Sequence, residues 1–215
     1  MASIGQQPSS RDGFVNSDDG NVGVVVLAAG ASSRLGAPKQ LLNYKGKPLL
    51  QHTLDRVNEL ESIKSVVVLG ASADEIVDHI RFNHSSIVVN GDWSTGLSSS
   101  IICGLTHLNK HWPSIDYVLF AVGDQPYLSL ELLQELISLA KRKTHSVIAS
   151  TYSDQVGVPA LFHRSLFGEL SRLTGDEGAK KVIQNNIDRV GLVSFEQGEV
   201  DIDTSADYEN LLFNS

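Results

Sequence analysis

The sequence predicts an α/β protein built as a three-layer, doubly wound and mostly parallel sheet. Three observations carry that prediction. Continuous apolar runs at 22–27, 65–69 and 117–122 read as strands buried on both faces. Segments with helical spacing of apolar residues alternate with these runs, and a β-α-β-α rhythm places helices on both faces of a parallel sheet. No internal repeat or low-complexity linker interrupts the pattern, so residues 22–215 read as one domain.

Taken in order, residues 1–21 are rich in Gln, Ser, Asp, Gly and Asn and lack the hydrophobic core of a signal segment; they are expected to form a flexible tail. Strand 22–27 opens the domain. A helix is expected within 48–60, where Leu50, Leu54 and Val57 share one face. Strand 65–69 precedes a helix at 74–82, whose Asp74 and Glu75 suit the positive end of a helix dipole. A short strand at 87–89, a helix at 97–108 and the strand at 117–122 follow. Helix 130–143 repeats Leu133, Leu136, Ile137 and Ala140 and ends in basic residues. Beyond a strand at 146–151 the rhythm loosens. Strands are expected at 157–162, 190–195 and 200–202, helical patterns at 164–173 and 177–185, and a closing helix at 206–213.

Composition narrows the function classes. At 215 residues, 41% hydrophobic and 20% charged, the chain can bury a full core. A net charge of −8 argues against a nucleic-acid partner, which needs a basic stripe. No apolar run approaches bilayer length, so no membrane partner is expected and the cytoplasm is the expected location. The single cysteine, Cys103, excludes an internal disulfide and a cysteine-based zinc site; in its apolar helical stretch it reads as a small buried residue. His107 and His111 stand four apart without a carboxylate triad and read as a solvated pair. No G-x-S-x-G elbow supports acyl transfer.

The most informative segment is Leu27-Ala28-Ala29-Gly30-Ala31-Ser32-Ser33-Arg34-Leu35-Gly36-Ala37-Pro38-Lys39, directly after the first strand. Small side chains let backbone N–H groups approach phosphate oxygens, and Arg34 and Lys39 neutralise the charge that amides leave. The Walker loop is excluded because five residues separate Gly30 from Gly36 and Ala37 follows. The dinucleotide pattern is excluded because Ser32 stands where its second glycine belongs.

Carboxylates fall where an open parallel sheet would use them. Strand 117–122 runs into Gly123-Asp124-Gln125-Pro126, so Asp124 sits at the carboxyl end of a strand and suits Mg²⁺, or else caps the helix that begins near Ser129. Asp201 and Asp203 share a face if residues 200–202 are a strand, although Asp203 or Thr204 could instead cap the last helix. Residues 90–100 are rich in Ser, Thr and Asn, which can read a nucleobase edge or form a helix N-terminus. Residues 173–179 are either part of an acceptor site or a turn.

The pattern A-A-G-x-S-x-R-x-G-x-x-K resembles the opening signature of the sugar- and cofactor-nucleotidyltransferases, and within them the molybdenum cofactor cytidylyltransferase-like group. The G-D-Q-P turn at 123–126 and the D-I-D-T segment at 201–204 recur in that family in this order. The resemblance implies a Rossmann-like nucleotidyltransferase fold. It implies a Mg²⁺-dependent enzyme that transfers a nucleoside monophosphate from an NTP, with CTP favoured, to the terminal phosphate of molybdenum-molybdopterin and releases pyrophosphate. Carried over residue by residue, it makes Arg34, Lys39 and Asp124 catalytic. Leu27, Ala28, Ala29, Gly30, Ser32, Arg34, Gly36, Lys39, Ser100 and Asp124 would bind nucleotide. Asp124 and Asp203 would hold the metal, with Asp201 a neighbour of open role. A molybdenum hydroxylase would receive the product. Ser205 stands where the family usually has proline, and Val158 where it often has His in G-H-P, which leaves the acceptor open. GTP, a sugar-phosphate acceptor, or a non-catalytic carrier of molybdenum cofactor are the alternatives. A nicotinamide-dependent oxidoreductase disagrees with the glycine spacing.

Overall fold

The computed structural model describes residues 21–214. The expected tail lies outside the described residues except for Asn21, whose carbonyl accepts from the amides of Asp116 and Tyr117 at 2.8 and 3.2 Å.

Seven strands form one sheet: β1 (Val22–Ala28), β4 (Lys64–Leu69), β5 (Ser86–Val89), β6 (Tyr117–Val122), β7 (Val147–Tyr152), β8 (Gln155–His163) and β9 (Val190–Ser194). A small hairpin of β2 (Asn43–Tyr44) and β3 (Lys47–Pro48) stands apart. Their order across the sheet is β5-β4-β1-β6-β8-β7-β9. All pairings are parallel except those of β8, which runs against both neighbours. The mostly parallel, doubly wound architecture is therefore as the sequence predicts.

The helices are α1 (Leu49–Asn58), α2 (Ala73–His79), α3 (Leu97–His111), α4 (Leu130–Lys141), α5 (Phe167–Leu170), α6 (Ala179–Asn185) and α7 (Ser205–Phe213). Strand alternation divides their packing. In β1, Val24 and Val26 join Leu50 and Leu54 of α1, Ile76 of α2 and Leu133 and Leu136 of α4 on one face. Val25 and Leu27 join Ile101 and Leu105 of α3, Leu170 of α5 and Val182 and Ile183 of α6 on the other. A third, smaller cluster of Tyr44, Leu49, Ile202 and Leu211 ties α7 to the hairpin and α1.

Three expectations are corrected. Residues 200–202 form no strand, because Ile202 is buried by side-chain packing in the third cluster rather than by pairing with the sheet. The helical pattern at 164–173 is met by a 3-10 turn (Arg164–Leu166) and the single turn of α5, which suffice to bury Leu166 and Leu170. Cys103 is half-buried rather than buried, packed against the second cluster.

Helix α3 lies close on the sheet because Gly104 has no side chain: a Cβ there would meet Val25 Cγ1 at 2.4 Å and Val68 Cγ2 at 2.9 Å. Gly104→Ala gains about 1 kcal/mol of helix propensity. The forced shift of stiff valines outweighs it, and the net loss should be about 1–2 kcal/mol in urea unfolding. An unchanged or raised midpoint would show that α3 can lift without strain.

Candidate active site

From β1 the chain steps outward through β4 to β5 and then returns to β6, on the opposite side of β1. The carboxyl ends of β1 and β6 therefore border a crevice where the winding reverses, the place where open α/β sheets bind ligands. The loop after β1 and residues 123–124 after β6 line it. A cavity of about 370 Å³ opens here, of a size suited to a small ligand.

The loop after β1 is closed by its own side chains. Ser32 adopts a left-handed conformation (φ 53°) and its Oγ accepts the Lys39 amide at 2.9 Å. Gln40, buried beneath, donates from Nε2 to the carbonyls of Ala28 at 2.9 Å and Gly30 at 3.2 Å, fixing both peptides. Lys39 thus leaves the loop at a fixed point.

Its ammonium lies between two carboxylates: it pairs closely with Asp124 and lies 3.0 Å from Asp203 Oδ1. Arg34 reaches the other oxygen of Asp203 at 3.5 Å, with its guanidinium largely exposed. Burial pulls the Lys39 pKa down, but the charges and hydrogen bonds of Asp124 and Asp203 more than reverse this and hold it above the ordinary lysine value. Desolvation, and then the charge of Asp124, push the Asp201 carboxyl up, with Lys39 opposing.

Both capping alternatives are answered. Ser129 Oγ accepts from the Leu132 amide and caps α4, so Asp124 is not needed there. Thr204 caps α7 in a reciprocal box with Asp207, so the carboxylate of Asp203 points to Lys39 instead. Fully buried Ile202 anchors this segment and delivers Asp203 to the cluster.

Of the expected residues, Leu27, Ala28, Ala29, Gly30, Lys39, Ser100 and Asp124 line the cavity. Ser32, Arg34, Gly36 and Asp203 are not in its wall: Ser32 closes the loop, Gly36 turns it at a φ of 69°, and Asp203 meets the wall through Lys39, with Arg34 on its other oxygen. Ser100 is buried and its Oγ accepts from Asn90 Nδ2 at 3.0 Å. Trp93 and Asp176, from the candidate segments 90–100 and 173–179, also line the cavity, as does Gln40, which the sequence did not single out.

The segment at 173–179 docks on the start of α3. The Gly175 carbonyl accepts from Ser98 N at 3.1 Å and Ser98 Oγ at 2.7 Å. Gly96 makes the approach possible: its φ of 116° and a Cβ position 2.2 Å from that carbonyl exclude any side chain. His107 and His111 stack on each other and on Trp112, far along the same helix, without a third ligand.

The MobA-like NTP transferase domain family matches residues 24–190. The chain belongs to that family. The chain is 31% identical over 201 residues to nicotine blue oxidoreductase of Paenarthrobacter nicotinovorans, covering 87% of the chain and 95% of that protein. It is 28% identical over 137 residues to a protein named probable molybdenum cofactor guanylyltransferase of Natranaerobius thermophilus, covering 62% of each. It spans only 34% of the bifunctional protein GlmU of Nitrosospira multiformis, at 29% identity over 160 residues. Rv0371c of Mycobacterium tuberculosis H37Rv has a similar structure, with a TM-score of 0.78, 31% identity and coverage of 91% of this chain and 99% of that one. A manganese complex of Rv0371c superposes with a TM-score of 0.75, at 29% identity and coverage of 91% and 100%.

Lys39→Met leaves the buried Asp124 carboxylate without its cation and should cost about 3 kcal/mol of stability, the scale of breaking a buried pair. Adding Asp124→Asn should return more than half of that loss in a double-mutant cycle. Because the Lys39 pKa is raised, the contribution is complete below the unfolded lysine value and fades only as pH rises through the higher folded one. Thermal unfolding should therefore show the cycle unchanged between pH 6 and 8, and strictly additive losses would deny the coupling.

Proposed function

We propose that this MobA-like transferase moves the nucleoside monophosphate of an NTP, CTP by preference, to the terminal phosphate of a molybdopterin-type acceptor carrying molybdenum. The single observation behind this reading is the convergence of Lys39, Arg34, Asp124 and Asp203 at the mouth of the β1/β6 crevice. Two anionic phosphates must approach each other there, so charge neutralisation is the main demand on the protein.

An acceptor phosphate oxygen forms a bond to the α-phosphorus as the bridging α–β P–O bond breaks, and that electron pair leaves on pyrophosphate. The dianionic acceptor needs no general base. Amides of residues 28–31 bind phosphate oxygens, and Lys39 and Arg34 offset the charge that builds on the α-phosphate and the leaving group.

The donors fit a hard divalent cation, since the oxygens of Asp124 and Asp203 already converge on one cationic atom, Lys39 Nζ. Among the described residues no three His, Cys, Asp or Glu side chains form a complete metal cage. Two carboxylates with substrate phosphates and water are the usual set for Mg²⁺, which when bound supplies charge and a template for both reactants. The product would pass in the cytoplasm to a molybdenum hydroxylase, with neither nucleic acid nor membrane involved; no described helix is long and apolar enough to cross a membrane.

The similarity to nicotine blue oxidoreductase motivates a second reading, reduction of a flat aromatic substrate at the same cavity. The loop glycines, which depart from the dinucleotide pattern, favour the transferase.

Pyrophosphate release, measured with CTP, GTP, ATP and UTP in Mg²⁺ with and without molybdenum-loaded molybdopterin, tests the proposal. Release with CTP and acceptor together is expected. Release with GTP or with a sugar phosphate keeps the chemistry and changes the substrate, whereas nucleotide binding without turnover would indicate a carrier. Oxidation of NADH or NADPH in place of pyrophosphate release would establish the second reading. Lys39→Ala should lower kcat at least ~100-fold, the scale of losing one preorganised charge, and Asp124→Asn should abolish metal-dependent turnover. Near-normal rates in either variant would remove that residue from the mechanism.

A further inference from the structure

We infer that Trp93 is a stacking wall for a planar, N–H-bearing heterocycle of the substrate, in the wall of the same cavity that Lys39 and Asp124 line. The inference rests on the nucleotidyltransferase reading for the phosphate end alone. Among the described residues, Trp93 is the aromatic side chain in the cavity wall, and Leu97 stands with it. Both are open to solvent, at 36% and 43% exposure. An indole and a leucyl side chain left uncovered beside a polar crevice are an unused apolar surface.

The wall is built to stay in place. Trp93 begins a 3-10 turn (Trp93–Thr95) in which the Asp92 carbonyl accepts from Thr95 N at 2.9 Å, Thr95 Oγ1 at 2.8 Å and Ser99 Oγ at 3.0 Å. Asp92 N in turn donates to Oδ1 of buried Asn90 at 3.0 Å. Behind it the backbone packs on Gly70, where an added Cβ would fall 2.8 Å from Trp93 Cβ. A fixed aromatic face loses little conformational entropy when a ring stacks on it.

The polar groups in the same wall select the kind of ring. Asp176 and Ser94 line the cavity beside Trp93, and a carboxylate accepts hydrogen bonds and repels phosphate. Lys39 lines the same cavity and supplies its cation. A substrate therefore fits with its phosphates on Lys39 and with a flat ring bearing N–H donors between Trp93 and Asp176. Such a ring occurs in a nucleobase and in a pterin acceptor.

Calorimetric titration of the full chain and of Trp93→Ala and Trp93→Phe, with CTP, GTP, a pterin and inorganic tripolyphosphate, tests this. Trp93→Ala should weaken ring-bearing ligands ~10- to 100-fold, the range of aromatic–base stacking, and leave tripolyphosphate unchanged. Trp93→Phe should restore most of the loss. A loss confined to nucleotides places the base on Trp93, and a loss confined to pterin places the acceptor there; either supports the wall. Equal weakening of tripolyphosphate would reduce Trp93 to a loop anchor, and no weakening of any ring would overturn the inference. As an independent readout that needs no Trp93 variant, Trp112→Phe leaves Trp93 as the sole indole. Its emission should be quenched by CTP and not by tripolyphosphate, and identical responses to the two would count against stacking. Pyrophosphate release plays no part in these titrations, and tripolyphosphate reports on the phosphate end, so failure of the wall and failure of the transferase reading are separable.

Discussion

The ammonium of Lys39 between Asp124 and Asp203 joins the loop after β1, the turn after β6 and the segment before α7 at one point. Asp124 follows a central strand, Asp203 precedes the last helix, and Lys39 ends the loop after β1. Each carboxylate would be costly near the other without a cation between them, and the ammonium would be costly in its half-buried position without both. The rest of the crevice follows from meeting that condition. Ser32 and Gln40 fix where the lysine emerges, Thr204 and Asp207 free Asp203 from capping, and Ile202 pins the segment that carries it.

The parts of the fold that were legible in the sequence are those whose physics is local. Strands β1, β4 and β6 are apolar runs buried on both faces, and the loop after β1 carries its chemistry in consecutive residues. Asp124 was legible for the same reason, since a glycine–aspartate turn at a strand end needs no distant partner to be noticed. The reversed direction of β8 was not legible, because a buried apolar run reads identically whichever way it points. The expected strand at 200–202 failed because Val200 and Ile202 alternate to fill a small side-chain cluster rather than a ladder.

The candidate site was legible only in part. Gln40 acts through two carbonyls ten and twelve residues away, and a glutamine before two leucines carries no mark of that. Trp93 reads as one more apolar residue until the fold places it, partly exposed, in the cavity wall. The contact of Gly96 with Gly175 joins segments far apart in sequence, and only the backbone path shows that neither half of the cavity is shaped alone.

The pairing of Lys39 with Asp203 spans 164 positions. During synthesis the first strand and the loop after it leave the ribosome long before either carboxylate, and Asp203 arrives just before α7. The loop can be ordered by Ser32 and Gln40 in the meantime, but its lysine has no Asp203 to meet until 164 further residues have been added. Contacts of such length are made late, since their loop entropy must be met before they repay it. The charge cluster is therefore completed later than the pairing of β1 with β4 and β6, whose partners lie nearer in sequence.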